Sequence, residues 1–156
     1  DFDHLMIAAL GYQESRLDQS ARSSAGAIGI MQLLASTASD ANVGIPDIEN
    51  AESNIHAGVK YLDFLRKRYF TDPELDAFNR ALFSFAAYNA GPARVRGLRR
   101  KAAEAGLDRN QWFNNVELIA AREIGRETVQ YVSNIYKYYL AYRLIMDQKT
   151  KMAESG

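Results

Sequence analysis

Apolar residues in this chain return every three or four positions, and that interval dictates helices. Ile55, Val59, Leu62, Leu65 and Tyr69 make one such row, and Leu75, Phe78, Leu82 and Phe85 make another. A row at this spacing covers one side of an α-helix, so it leaves water only by packing against a neighbouring element. No pair of segments alternates polar and apolar residues as strands would, and there is no internal repeat or low-complexity tract. The spacing predicts a mainly α fold, with room for one very small hairpin within residues 20–30. A chain of 156 residues that is 47% hydrophobic can bury a core of its own, so a single domain over 1–156 is expected. Its packed part should cover about 3–145, with a tail over about 148–156.

Punctuation sets the boundaries. Asp3 is a favoured N-cap for a first helix reaching about Leu17. Residues 18–28 read as a loop, and Gly29 should open a short second helix through about Ala38. "NVGIPDIEN" (42–50) is a connection broken by Gly44 and Pro46. A long third helix follows, and "TDPEL" restarts the chain with Pro73 in the first turn of a fourth. That helix stops at "YNAGP", where Gly91 ends one helix and Pro92 begins the next. A basic segment to about Ala105, a less regular stretch around Trp112, and a tyrosine-rich helix from about Arg126 to Asp147 complete the chain. A lone tryptophan in such a domain reads as core, although Trp112 also offers a stacking face.

Composition excludes several functions. Lysine plus arginine and aspartate plus glutamate each number 19, so no overall field draws the chain to nucleic acid or to an anionic membrane. Arg94, Arg96, Arg99, Arg100 and Lys101 are clustered, but no aromatics interleave them, so a solvated helix face, or a surface meeting an anionic polymer, is expected rather than a nucleic-acid surface. No apolar run approaches the roughly 20 residues of a membrane span. Without cysteine there is neither disulfide nor zinc–thiolate site. His4 and His56 lack partners at ligand spacing, so no metal and no cofactor is expected. "DFDHLMIAAL" has no basic leader region, so it does not read as a signal peptide, and its start in mid-pattern suggests an excised domain or a processed chain.

Glu14 is the residue that asks for chemistry. Ile7, Leu10, Glu14 and Leu17 fall at helical spacing, which puts a carboxylate in an apolar row just before a pliable stretch holding Gly26 and Gly29. Burial disfavours the charged form, raises a carboxyl pKa and suits the group to general-acid work. By its position alone, Glu14 also fits a surface glutamate paired with Arg16 or Arg22. Tyr88 and Asn89 end an apolar helix just before the Gly91 turn, where they can face a cleft or serve as core and cap. Gln32 places an amide within "GIMQLL", and a buried amide needs partners in the protein or in a ligand.

Taken together, "QES" (13–15), "SSAGAIGIMQ" (23–32), "AYNAGP" (87–92) and "ETVQYV" (127–132) resemble, in order, the soluble-type lytic transglycosylase family. The resemblance covers about residues 3–145 and extends to catalytic modules of the membrane-bound lytic transglycosylase F type. It implies a goose-type-lysozyme-like fold with a substrate cleft. It also implies cleavage of the β-1,4 bond between N-acetylmuramic acid and N-acetylglucosamine in peptidoglycan, closing a 1,6-anhydro ring. Glu14 would be the sole acid and base. Ser23, Gln32, Tyr88, Asn89 and Glu127 would contact substrate or orient Glu14, with Tyr88 as the expected partner of its carboxyl group. Glu127 also fits a helix-start glutamate favoured by the dipole, and Tyr131, one turn on, reads as core. A substrate that supplies its own C6 hydroxyl needs no second carboxylate, whereas most glycosidases need a pair. Asp18, the nearest acid, reads as a solvated cap. Leu34 and Ala35 depart from the Met-Pro of many family members, which puts sugar preference in question. The implied setting is the periplasm or bacterial cell envelope, with a solute-binding-protein-like domain upstream and any outer-membrane attachment outside this sequence. A goose-type hydrolase of the same bond and a non-catalytic glycan-binding module are the alternatives.

Overall fold

A computed structural model of the chain describes residues 2–154. Seven α-helices follow in order: α1 (His4–Ser15), α2 (Ala35–Ser39), α3 (Ala51–Tyr69), α4 (Ala77–Ala90), α5 (Pro92–Glu104), α6 (Glu117–Glu123) and α7 (Glu127–Glu154). Among the described residues there is no strand, and no helix is long and apolar enough to cross a membrane.

Side-chain caps fix the starts. Asp3 Oδ1 accepts from the Leu5 N–H at 2.8 Å, Asn50 Oδ1 from Ser53 at 2.9 Å and Asp76 Oδ1 from Asn79 at 2.7 Å. Each satisfies a backbone donor that the first helical turn leaves unpaired. Arg66, Lys67 and Arg68 close α3, where cations complement the helix dipole.

α4 is the axle of the fold. Residues 81–87 are all buried, and α3, α5 and α7 pack around it. A helix apolar on every side has to be surrounded in this way. Phe83 lies between the Phe70 and Trp112 rings, with centroids at 5.9 and 5.8 Å. α1 lies along α7, joining the two ends of the chain.

Several expected boundaries move. Residues 29–33 form a turn instead of opening α2, because Gly29 and Gln32 have left-handed backbone (φ 75° and 46°). Bridges between Ile28 and both Arg22 and Leu33 replace a regular hairpin. Leu75 is buried ahead of α4, whose start is set by Asp76 rather than Pro73. On α3 the buried row is Asn54, Ala57, Gly58, Leu62 and Leu65, one residue out of step with the apolar row at its start. Trp112 is fully buried in a turn over Trp112–Val116 that is broken at Phe113 and Asn114. α7 runs on through residue 154, so 148–154 continue the helix; residues 1, 155 and 156 lie outside the described residues. Arg99, expected on a solvated face, is only 3% exposed because its guanidinium meets Asp72 at 2.9 Å and Asn110 at 2.6 Å.

Candidate active site

Glu14 occupies the last turn of α1, half-buried where α1 meets α7. The helix ends just beyond it by turning left-handed at Arg16 and Leu17 (φ 60° and 64°), without a glycine. Such backbone costs roughly 1–2 kcal/mol per residue, strain of a kind that gathers at functional sites. The Ser15 hydroxyl, donating to the Ile30 carbonyl at 2.9 Å, ties this end of α1 to the following loop.

That loop is held from beneath by a residue the sequence reading did not single out. Asn54 is wholly buried on α3; its Oδ1 accepts from the Met31 N–H at 2.8 Å and its Nδ2 donates to the carbonyls of Ile28 and Ile48. A Cβ on Gly29 would stand 2.5 Å from Asn54 Nδ2 and 2.6 Å from Gln19 Nε2, so this close seating requires glycine. The available signal was an asparagine one turn before Gly58, in line with Leu62 and Leu65.

The carboxyl group of Glu14 has a hydrogen-bond donor, and it is Tyr131 on α7. Tyr131 is 6% exposed, and its hydroxyl donates to Glu14 Oε1. Tyr88, expected in that role, instead donates to the Met31 carbonyl at 2.7 Å, although it lies close enough to feel the charge of Glu14. Burial raises the Glu14 pKa from 4.5 to about 7, against the Tyr131 hydrogen bond, which lowers it. Burial and the Glu14 charge push both tyrosines well above the usual phenol range, so they stay protonated as donors.

The arginines that could have neutralised Glu14 are engaged elsewhere. Arg16 donates to the Tyr138 hydroxyl at 3.2 Å and lies 4.6 Å over the Tyr12 ring, while Arg22 pairs with Glu49. No second carboxylate contributes to the Glu14 shift. Asp18 is exposed, and its Oδ1 accepts from the Ser20 N–H and hydroxyl, contacts that lower its pKa and keep it ionised.

The remaining site residues divide by what occupies their polar atoms. Gln32 donates to the carbonyls of Gly29 (2.9 Å) and Ala21 (3.3 Å), so its N–H groups hold the loop rather than Glu14. Ser23 is exposed; its Oγ accepts from the Ala27 N–H at 3.0 Å, which leaves the hydroxyl proton for an outside acceptor. Asn89 is exposed at the end of α4, and its Oδ1 accepts from Thr128 Oγ1 at 2.8 Å. That bond leaves the Asn89 NH2 group free to donate. Glu127, next to Thr128, is exposed in the first turn of α7. Leu34 is 41% exposed and Ala35 begins α2, so neither departure from the family pattern sits in the core. The candidate residues thus comprise one protonatable carboxyl steadied by a buried phenol, together with exposed hydroxyl, amide and carboxylate groups on neighbouring segments.

The family model described as the transglycosylase SLT domain matches residues 2–112, which include Glu14, Ser23, Gln32, Tyr88 and Asn89. Membrane-bound lytic murein transglycosylase F of Desulfosudis oleivorans is 41% identical over 151 residues, covering 88% of this chain and 32% of that protein. Membrane-bound lytic murein transglycosylase F 1 of Alkalilimnicola ehrlichii is 32% identical, covering 99% of this chain and 33% of that one. The chain thus spans about a third of the length of these curated relatives. The crystal structure of the 70 kDa soluble lytic transglycosylase of Escherichia coli superposes with a TM-score of 0.70 at 28% identity, over 94% of this chain and 22% of that one. The lytic transglycosylase Slt of Pseudomonas aeruginosa, solved as an inactive glutamate-to-glutamine variant, gives a TM-score of 0.63 at 27% identity, over 94% and 22%.

Proposed function

The chain belongs to the transglycosylase SLT domain family, and from that premise we propose that it cleaves the MurNAc-β-1,4-GlcNAc bond of peptidoglycan non-hydrolytically. The observation that carries this reading is Glu14 itself: a half-buried carboxyl with a pKa near 7, steadied by one phenol and unaccompanied by a second acid. A group poised near the working pH can both give and take a proton.

With Oε1 occupied by the Tyr131 hydroxyl, Oε2 carries the proton. It passes to the glycosidic oxygen, the bond to C1 of the muramic residue breaks, and positive charge develops at that carbon. The Tyr131 donor stabilises the carboxylate left behind, as an oriented donor does for developing negative charge. The C6 hydroxyl of the same sugar then closes on C1, and its proton returns to Oε2. No water is consumed, and the enzyme ends as it began. The internal hydroxyl is already positioned, which supplies the nucleophile a second carboxylate would otherwise activate. Ser23, Asn89 and Glu127 hold the sugar hydroxyl and N-acetyl groups, while Gln32 and Tyr88 keep the loop beside Glu14 in shape.

Such a substrate places the chain in the bacterial cell envelope, on its periplasmic side. The two thirds of the relatives that this chain does not span would supply the solute-binding-protein-like region and any membrane attachment.

The test is mass spectrometry of purified murein after digestion. Products that sum to the mass of the starting strand, ending in 1,6-anhydro sugars, support the reading. Products heavier by one water would mean hydrolysis, and no release would mean a binding module. Glu14→Gln should retain its fold by circular dichroism and lose release by at least about a thousandfold, since one group serves as both acid and base.

A further inference from the structure

α5 carries a second chemistry on its outer face. Ala93, Arg96, Gly97 and Arg100 recur at helical spacing, so they share one side of the helix. With the end of α3 and the loops at Asp72 and Arg109 they line a cavity of about 670 Å³, in which five arginines face a single carboxylate. That carboxylate, Asp72, is already engaged by Arg99 at 2.9 Å, with Arg109 at 3.8 Å. Arg99 is locked in place as well, its Nε donating to the Arg109 carbonyl at 3.0 Å and its Nη2 to Asn110 Oδ1 at 2.6 Å. Burial weakens its hold on its proton; the Asp72 contact works against this, and the like charges of Arg109 and Arg96 add to it. Among the described residues Arg68 and Arg96 have no ion-pair partner, and, apart from its two chain neighbours and the backbone of its own helix, nothing lies within 4 Å of the place a Cβ on Gly97 would take. The groove is therefore fixed at its base, with Arg68 and Arg96 unpaired on its walls and Arg100 held only by an exposed contact with Glu104 at 3.5 Å.

It is linked to the site of Glu14 by a row of aromatic contacts. Tyr69, on its rim, lines an adjoining cavity of about 390 Å³ with Thr37, Asp40, Tyr61 and Phe64. The Tyr61 ring is 5.4 Å from that of Tyr88, the tyrosine that feels the Glu14 charge. Tyr88, Tyr61 and Tyr69 thus lead from the neighbourhood of the acid to the rim of the arginine groove. We propose that this groove binds the carboxylate-bearing peptide branches of the glycan strand that Glu14 cleaves, an inference that rests on the function proposed above. Arginine forks match carboxylates in geometry as well as charge. A branch tethered to a strand already in the site arrives at high effective concentration, so even weak contacts retain it. The chain is neutral overall, so the attraction is local to this face.

The experiment is a backbone-amide NMR titration of the chain with the free acidic peptide released from murein by an amidase, at fixed ionic strength. Saturable shifts at Arg96, Gly97 and Arg100, abolished in an Arg96→Gln/Arg100→Gln variant that keeps its other resonances, support the proposal. No shifts at these residues, or equal shifts with inorganic phosphate at the same concentration, overturn it. Turnover gives a second reading. On peptide-bearing strands the double variant should raise KM about fivefold to tenfold, the effect of losing two exposed charge contacts. On strands stripped of peptide its KM and kcat should match those of the unaltered chain. Equal KM for both proteins on both substrates overturns the groove while leaving cleavage at Glu14 intact. If the unaltered chain cleaves neither strand, the proposed function fails, and the peptide titration then decides the groove by itself.

Discussion

Replacing Glu14 by glutamine should make the protein more stable, and only above a certain pH. The carboxyl has a pKa of about 7 in the folded chain against 4.5 for an unburied glutamate. Below pH 4.5 it is protonated in folded and unfolded states alike, and its burial carries no ionic penalty. As pH rises, the unfolded chain ionises first while the folded one holds its proton, so stability is lost progressively until the folded carboxyl ionises near pH 7. At 1.36 kcal/mol per pKa unit, discounted because solvent still reaches the group, the loss comes to about 2–3 kcal/mol. An amide cannot ionise, so Glu14→Gln lacks this slope. Urea unfolding of both proteins at pH 4.5, 6 and 8 measures the difference. The variant should gain about 2–3 kcal/mol on the unaltered chain between the lowest and highest pH, or about 5–10 °C in Tm. Because only the change with pH is compared, any fixed offset from the altered Tyr131 contact cancels. Parallel profiles for the two proteins would refute the argument, since they would mean that Glu14 ionises equally easily folded and unfolded.

Tyr131→Phe removes the donor that lowers the Glu14 pKa, so the basic limb of the kcat/KM profile should move up by about one pH unit, with kcat reduced at least about tenfold; an unmoved limb would dissociate Tyr131 from the acid. Asn54→Ala strands the buried Met31 N–H and takes one of two donors from each of the Ile28 and Ile48 carbonyls, so thermal unfolding should show a loss of about 2–3 kcal/mol, or roughly 4–12 °C in Tm. Thr128→Val keeps the shape of the side chain but frees the Asn89 amide; KM for glycan should rise about fivefold with kcat held, the size of one hydrogen bond. An unchanged KM would mean that Thr128 does not position Asn89.

Local chemistry was legible where the chain's own neighbours decide the outcome. The Asp3 cap, the Gly91 stop, the Pro92 start and the helical period all act within a few residues, and each lies where its sequence implies. Glu14 could be singled out because a carboxylate in an apolar row is itself a local anomaly. Its partner could not. Tyr131 and Tyr88 both lie in helices beside apolar residues, and the choice between them depends on how α1 lies on α7, a contact across 117 positions. Asn54 was hidden for a related reason: its partners are backbone atoms of a distant loop, and backbone atoms leave no mark in a sequence. The turn at 29–33 looked helical because Ile30, Met31 and Leu33 are apolar. They are buried, but by packing of the loop onto α3, with Gly29 seated against Asn54. Arg99 misled in the opposite direction, since its buried position depends on Asp72 and Asn110 in two loops that its own helix does not announce.

Carbon-13 NMR titration of the Glu14 carboxyl carbon tests most directly whether one buried acid can serve this site. With the resonance identified by its absence from Glu14→Gln, the midpoint should fall close to pH 7 in the free protein. A midpoint near 4.5, unchanged when glycan is bound, would show a carboxylate already ionised at neutral pH with no proton to give, and the mechanism built on it would be wrong.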